Sequence, residues 1–223
     1  MIDLAIFDHD MTLVDSSWAI MEGFNRVADA VGRPRVTHEQ VMRLIATPLP
    51  EFCEGLLGSY RPEWLALYLD EVAKVEAELI RPYPDTVRTM GRLRDMGVAL
   101  AVASNREDPR PAMERTGLAG LFDAILGANG PDGRFAYKPD PAMLIELMRR
   151  FDARPETTLY VGDSEIDMRT AKAAGVRGVG IARGDFSAEQ LLELGAWRAV
   201  STLDELVDIV EAEGPPVSAG RSA

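Results

Sequence analysis

Leu4-Ala5-Ile6-Phe7, followed at once by Asp8-His9-Asp10-Met11-Thr12-Leu13-Val14-Asp15-Ser16, is the stretch on which the reading of this chain turns. Four apolar residues without polar alternation read as a strand covered on both faces, as in a parallel sheet. Two carboxylates two positions apart, Asp8 and Asp10, then stand where that strand should end. In open α/β sheets the carboxyl ends of the strands are where chemistry is placed. Asp is also a common turn residue, so the segment by itself fits a plain turn as well as a site. The rest of the chain decides.

Beyond Ser16 no strand pattern appears over residues 17 to 80. Ser16 or Ser17 is placed to cap a helix running to about Val31, with Trp18, Met21, Phe24, Val27, Ala28 and Val31 as its apolar stripe. Thr37 and Gln40 form a capping-box signature for a helix through Ile45. Pro48 and Pro50 are expected to break the next turn, Phe52 to Leu57 to form a short helix, and Arg61-Pro62-Glu63 to open one reaching Ile80. From Pro84 the texture changes to strands alternating with helices. The strands are expected at 98–103, 123–127, 159–161, 176–181 and 199–200, and the helices at 85–96, 110–117, 140–151, 166–174, 187–194 and 203–213. Such alternation means a doubly wound parallel sheet, a Rossmann-like α/β fold. The first strand belongs to that series, so the helical block is an insertion: residues 1–15 and 82–213 make the core, 16–81 a helical cap, and 214–223 a disordered tail.

With 36 acidic against 24 basic residues the formal charge is −12, which argues against nucleic acid or an anionic membrane as the main partner. No apolar run approaches the ~20 residues of a membrane span. The first residues lack the basic and apolar regions of a secretory leader, so a cytoplasmic protein is expected. The single cysteine, Cys53, is expected to be a small buried residue of the 41–57 region. Lysine is scarce: Lys74, Lys138 and Lys172 stand among many arginines. Lys74 and Lys172 read as surface residues and Lys138 as a position suited to a compact ammonium.

Three strands end alike: at Asp8, at Ser104-Asn105 and at Gly162-Asp163-Ser164. Parallel strands bring such ends to one edge, and Lys138-Pro139-Asp140-Pro141 lies in a connection that can reach the same edge. The chemistry that suits the set is phosphoryl transfer. Carboxylates from separate strands offer hard oxygen ligands to Mg²⁺. One Asp can attack phosphorus, and a second can protonate the leaving alkoxide and then deprotonate water. Hydroxyl, amide and ammonium donors balance charge on the phosphoryl oxygens.

The segments Asp8–Ser16, Val102-Ala103-Ser104-Asn105, Lys138–Pro141 and Val161-Gly162-Asp163-Ser164-Glu165-Ile166-Asp167 resemble the four ordered motifs of the haloacid dehalogenase superfamily. The resemblance covers nearly the whole chain, the inserted helical cap included. It implies Asp8 as nucleophile, Asp10 as general acid/base, Ser104 with Asn105 and Lys138 at the phosphate, and Mg²⁺ held by Asp8, Asp163 and the Asp10 backbone carbonyl. Asp167 would support metal-bound water or Lys138. The Gly-Asp-Ser-x-x-Asp form is most similar to phosphoglycolate phosphatase-like members, which implies hydrolysis of a small phosphorylated metabolite. Dehalogenase members lack the second Asp and the magnesium set. A phosphomutase of the β-phosphoglucomutase type, or a regulatory protein without turnover, stands as the alternative. No oligomeric state follows from the sequence.

Two departures fall inside the first motif. Met11 stands where the family commonly has Gly, and His9 where it has Leu or Met. His9 is expected to pack beside the site, and His38 to be exposed in a first helical turn. The cap segment 43–51 resembles the family's specificity loop, with Ala46 in place of the usual Gly, so Arg43 or Thr47 is a candidate for the substrate's non-phosphate end.

Overall fold

The computed structural model describes residues 1–45, 47 and 49–214. Along the chain run β1 (Leu4–Phe7), β2 (Val14–Asp15), α1 (Ser17–Val31), α2 (His38–Leu44), α3 (Leu49–Leu57), α4 (Pro62–Leu79) and β3 (Arg81–Pro82). They are followed by α5 (Thr86–Asp95), β4 (Ala99–Ala103), α6 (Arg110–Arg115), β5 (Ala124–Leu126) and the short strands β6 (Asn129–Gly130) and β7 (Gly133–Arg134). The chain continues through α7 (Ala142–Phe151), β8 (Thr158–Gly162), α8 (Glu165–Ala174), β9 (Arg177–Ile181), α9 (Ala188–Glu193), β10 (Arg198–Val200) and α10 (Asp204–Ala212).

Six strands form one parallel sheet in the order β10-β9-β8-β1-β4-β5, the α/β architecture expected. β1 is central: Phe7 pairs with Val102 on one side and Val161 on the other. From β1 the chain winds outward through β4 and β5, then returns to β8 and winds the other way. The reversal leaves a crevice at the carboxyl ends of β1, β4 and β8, where doubly wound folds bind ligands.

Why β1 lacks polar alternation is now visible. Ala5 and Phe7 join a core with Leu100, Val102, Val161, Met90, Leu93, Leu206 and Val210, which seats α5 and α10 on one face of the sheet. Leu4 and Ile6 join Ala101, Ala103, Met143, Leu144 and Leu147, which seats α7 on the other. With both faces covered, the period-2 signal vanishes.

The helices α1 to α4 lie between β2 and β3, and these two short strands pair antiparallel, Val14 with Pro82 and Asp15 with Arg81. Both chain crossings between block and sheet are thus tied together. At two residues each, the strands are too short for a periodic signal. Within the block Phe24 stacks on Tyr68 at 4.2 Å and meets Phe52 edge-on at 5.0 Å.

Several local expectations need correcting. Ser16 occupies the N-cap of α1 but its side chain makes no capping bond; Asp15 Oδ1 instead accepts from Ser17 N at 3.0 Å and Ser17 Oγ at 2.6 Å. Trp18 is not core: it is 47% exposed and stacks on His38, centroids 4.0 Å apart. His38 is accordingly half-buried, with Nε2 2.8 Å from Ser17 Oγ. Pro50 does not break a turn but sits in the first turn of α3, where a missing N–H is harmless. The expected break at Pro48, the glycine substitute Ala46 and a disordered 215–223 fall outside the described residues. The Thr37–Gln40 capping box is present, and Cys53 is a free, buried thiol pushed up to about 11 by burial.

Leu100 is fully buried beside β1. Leu100→Ala is expected to cost about 2–5 kcal/mol, the usual range for a core truncation that cannot collapse. The urea midpoint measures this, and a loss under about 1 kcal/mol would mean that the sheet core repacks freely.

Candidate active site

The strand-end residues converge. Asp8 N donates to Val161 O at 2.8 Å, extending the β1–β8 ladder one step and fixing where the carboxylate emerges. Lys138 arrives from the connection before α7, its backbone held by Asn105, whose Oδ1 accepts from Lys138 N at 2.7 Å. Its buried Nζ donates to Asp8 Oδ1 at 2.7 Å, Asp167 Oδ1 at 2.7 Å and Tyr160 Oη at 2.9 Å. All three ammonium protons are thereby spoken for.

Asp167 is fixed from every side. As the third residue of α8 it closes a capping box with Ser164, Oδ2 accepting from Ser164 Oγ at 2.6 Å and Ser164 N at 3.2 Å. Its Oδ1 accepts from Lys138 and from Tyr160 Oη, the latter at 2.8 Å. The approach requires Gly162, because a Cβ there would stand 2.3 Å from Asp167 Cγ.

Asp163 is buried, and Thr12 Oγ1 reaches its Oδ1 at a long 3.4 Å. Oxygens of Asp8, Asp163 and Asp167 lie within 4.8 Å of one another. Ser104 is buried at the end of β4, and its Oγ accepts from Arg106 N at 3.2 Å, leaving its own proton free to donate.

Asp10 faces a different partner. Arg106 grips it with a fork, Nε to Oδ2 at 2.7 Å and Nη2 to Oδ1 at 2.8 Å. The Nδ1 of fully buried His9 lies 3.3 Å from the same Oδ2 without the alignment of a hydrogen bond.

Residues 5–181 match the family model described as haloacid dehalogenase-like hydrolase. The chain belongs to this family. It is 34% identical over 178 residues to a phosphoglycolate phosphatase of Rhodobacter capsulatus, covering 77% of this chain and 80% of that one. A solved Bacteroides fragilis chain, described as a haloacid dehalogenase-like hydrolase, is 30% identical with TM-score 0.80 over 92% of this chain and 100% of its own. A Thermotoga maritima chain described as a β-phosphoglucomutase is 24% identical with TM-score 0.74 over 95% of this chain and 99% of its own. At that identity the likeness speaks for the fold alone. The membership expected from the four motifs, and the likeness to phosphoglycolate phosphatases, are borne out.

Within this family member the electrostatics divide its two leading carboxylates. Burial pushes Asp8 up to about 6 despite the pull of Lys138, with Asp167 and Asp10 adding repulsion. Burial, then the charges of Asp167 and Asp8, holds Asp163 well above the ordinary range. For Asp10 burial also works upward, but Arg106 and then His9 overcome it and hold the carboxyl well below the ordinary range. Lys138 loses by burial and gains more from Asp167 and Asp8, so it stays charged.

Asp8, Ser104, Asn105, Lys138, Asp163 and Asp167 are thus brought together, with Asp10 adjoining. Arg43 and Thr47 share no hydrogen bond or ion pair with these residues: Arg43 is exposed and paired with Glu39, and Thr47 Oγ1 donates to Leu44 O at 2.7 Å. Sequence reasoning missed Tyr160 and Arg106. A phenol inside an otherwise apolar buried strand was a usable signal for Tyr160. For Arg106, adjacency to Ser104-Asn105 was the one clue.

Because ionised Asp8 is disfavoured in the folded chain, its charge costs stability fully above about pH 6, and the cost vanishes as pH falls below the unfolded value of 3.8. In EDTA, Asp8→Asn is therefore expected to raise the thermal midpoint at pH 7.5, by on the order of 1–3 kcal/mol of stability, and to do nothing near pH 3.5. An equal effect at both pH values would mean that the change acts through packing instead.

Proposed function

We propose that this hydrolase releases phosphate from a small phosphorylated metabolite through an aspartyl-phosphate on Asp8, with Mg²⁺ as cofactor. The observation that carries the reading is the convergence of Asp8, Lys138, Asp163 and Asp167 at the crevice of the sheet. Three buried carboxyl groups share one ammonium, and Asp163 meets a hydroxyl at long range as its side-chain partner. A hard divalent cation fits that donor set. Asp8, Asp163 and the Asp10 backbone carbonyl would hold it, whereas Asp167 has both oxygens committed to Lys138, Tyr160 and Ser164. When bound, the cation lowers repulsion between the site's carboxylates and an incoming phosphate dianion.

The chain's own residues account for the remaining chemistry. Asp8 Oδ1 is held by Lys138 and Oδ2 accepts no hydrogen bond among the described residues, so Oδ2 is the oxygen that attacks phosphorus. The P–O bond to the leaving group breaks, and Asp10, which takes up a proton only on leaving the Arg106 fork, passes that proton to the departing alkoxide. Asp10, now a carboxylate, takes a proton from the water that attacks the aspartyl phosphate, and Asp8 is restored as inorganic phosphate departs. Ser104 and Lys138 donate to the phosphoryl oxygens. The helical block acts as a cap that closes over the crevice and excludes bulk water between the two steps.

Asp8→Asn is expected to abolish turnover of 2-phosphoglycolate and p-nitrophenyl phosphate, and Asp10→Asn to lower kcat about 10²- to 10⁴-fold. Unchanged phosphate release in Asp8→Asn would overturn the nucleophile. Release of phosphate from sugar phosphates without isomer formation separates hydrolysis from mutase chemistry. Mg²⁺ is expected to raise the melting temperature of the wild type and not of Asp163→Asn; an equal rise in both would remove Asp163 from the cation site.

A further inference from the structure

Arg183 has no part in the chemistry above, yet its surroundings converge on Asp163, the carboxylate proposed to hold the cation. β9 runs parallel to β8 with Val161 beside Val179 and Gly162 beside Gly180, so the two strands release the chain at the same edge. Asp163 leaves β8 there, and the connection 182–187 leaves β9 next to it. The two segments are in close contact. A Cβ added to Gly184 would overlap Oδ2 of Asp163 and stand 3.2 Å from its Cγ, although the Gly184 backbone lies outside the left-handed region. Glycine is needed at 184 for close approach and not for its dihedral angle.

At its other oxygen Asp163 meets Thr12 Oγ1 at 3.4 Å. The carboxylate is thus bounded by a hydroxyl of the first loop and by the backbone of the loop after β9. One guanidinium joins these two walls. Arg183 directly precedes Gly184, and its Nη1 donates to Thr12 O at 2.8 Å. Its Nη2 donates to Asp85 Oδ2, which also accepts from Leu203 N at 2.8 Å, just ahead of α10. The guanidinium carbon rests 4.1 Å from the centre of the Tyr83 ring. Both side chains of the Arg183–Asp85 pair are 8% exposed, so the pair is little screened by salt.

We propose that Arg183 is a positioning residue of the cation site, fixing Thr12 and Gly184 against the two oxygens of Asp163. Asp163 is then oriented by close packing and one long hydrogen bond, which leaves its lone pairs open to a cation. Strong donors would orient it equally well and close it to the metal, as Ser164, Tyr160 and Lys138 do for Asp167. Groups that orient a metal ligand without touching the metal are worth about 10- to 100-fold in affinity. The inference deepens the phosphatase reading and rests on Asp163 being a ligand of Mg²⁺.

The test titrates Mg²⁺ into the full-length protein after EDTA treatment. Two concentrations are read: the one giving half of the rise in melting temperature, and the one giving half-maximal turnover of p-nitrophenyl phosphate. Arg183→Ala is expected to raise both about 10- to 100-fold, with kcat and KM at saturating Mg²⁺ within about threefold of the wild type. Arg183→Lys keeps a positive charge beside Asp85 but lacks the planar fork that also reaches Thr12. It should melt close to the wild type in EDTA and still need about tenfold more Mg²⁺. Gly184→Ala leaves the ion pair whole and should weaken Mg²⁺ binding about tenfold by pushing on Asp163. Arg183→Ala should cost less Mg²⁺ affinity in that background than in the wild type.

A lower melting temperature in EDTA with an unchanged Mg²⁺ requirement would overturn the proposal by making Arg183 a support of the fold alone. A raised KM with an unchanged Mg²⁺ requirement would make it a substrate contact instead, and full additivity with Gly184→Ala would count against it equally. A wild type that releases no phosphate from p-nitrophenyl phosphate or 2-phosphoglycolate sinks the phosphatase reading itself, and a melting response to Mg²⁺ that survives in Asp163→Asn sinks the cation ligand. An active wild type whose Arg183 variants keep its Mg²⁺ requirement sinks the Arg183 assignment alone.

Discussion

The Lys138 ammonium is the interaction on which the site depends. It is buried, and its three donors go to groups from three elements: Asp8 at the end of β1, Asp167 in the first turn of α8 and Tyr160 within β8. Its own backbone is held by Asn105, just past β4. Without the cation, Asp8 and Asp167 would be like charges facing one another in a dry interior, a far more costly arrangement than any surface pair. The sheet order supplies the geometry. Placing β1 between β8 and β4 puts the carboxylate, the phenol and the amide within reach of one lysine, and the reversal of winding at β1 opens the crevice above them.

Around that lysine the fold separates two carboxylates that are two residues apart in the chain. Asp8 is raised to about 6 by burial and by acidic neighbours, whereas Asp10 is held low by a bidentate arginine. The split describes the resting site, in which the Arg106 fork keeps Asp10 ionised; Asp10 takes up a proton only when that fork opens. The net charge of −12 is no obstacle to an anionic ester, because the field at the crevice is set by the nearest cations and not by the distant surface.

What was legible in the sequence is what local chemistry writes into it. A both-faces-buried strand loses its alternation, so Leu4–Phe7 announced a parallel sheet, and polar residues at three strand ends announced the edge that collects them. What was not legible came from partners remote in sequence. Arg106 meets Asp10 across 96 positions and Glu76 across 30, and neither contact leaves a periodic trace. The β2–β3 ribbon is too short to carry a pattern, and Trp18 sits on the helical stripe yet is covered by His38 instead of by the core. Arg43 and Thr47 were singled out by likeness of segment alone. Their side chains have found neighbours on their own helix and turn, which sequence position cannot foresee.

The residue that stands in place of the family's glycine shows how the first loop resolves a conflict. Met11 has φ +57°, the left-handed region that glycine enters freely. For a side chain with a Cβ that conformation costs about 1–2 kcal/mol. The methionine is 4% exposed, and burying a side chain of its size returns about 1.5–3 kcal/mol. Burial therefore covers the backbone strain, and Tyr83 Oη resting 3.9 Å from Met11 Sδ shows where the side chain is held. The next residue extends the same logic, since Thr12 touches Asp163 through its hydroxyl while its carbonyl accepts from Arg183 Nη1 at 2.8 Å. Arg183 is in turn paired with Asp85 and stacked over Tyr83, just beyond β3. The loop that carries Asp10 is thereby anchored on its side chains as well as on its backbone. A glycine at position 11 would satisfy the dihedral angle and forfeit that anchor, so here the loop's shape is kept by packing rather than by conformational freedom.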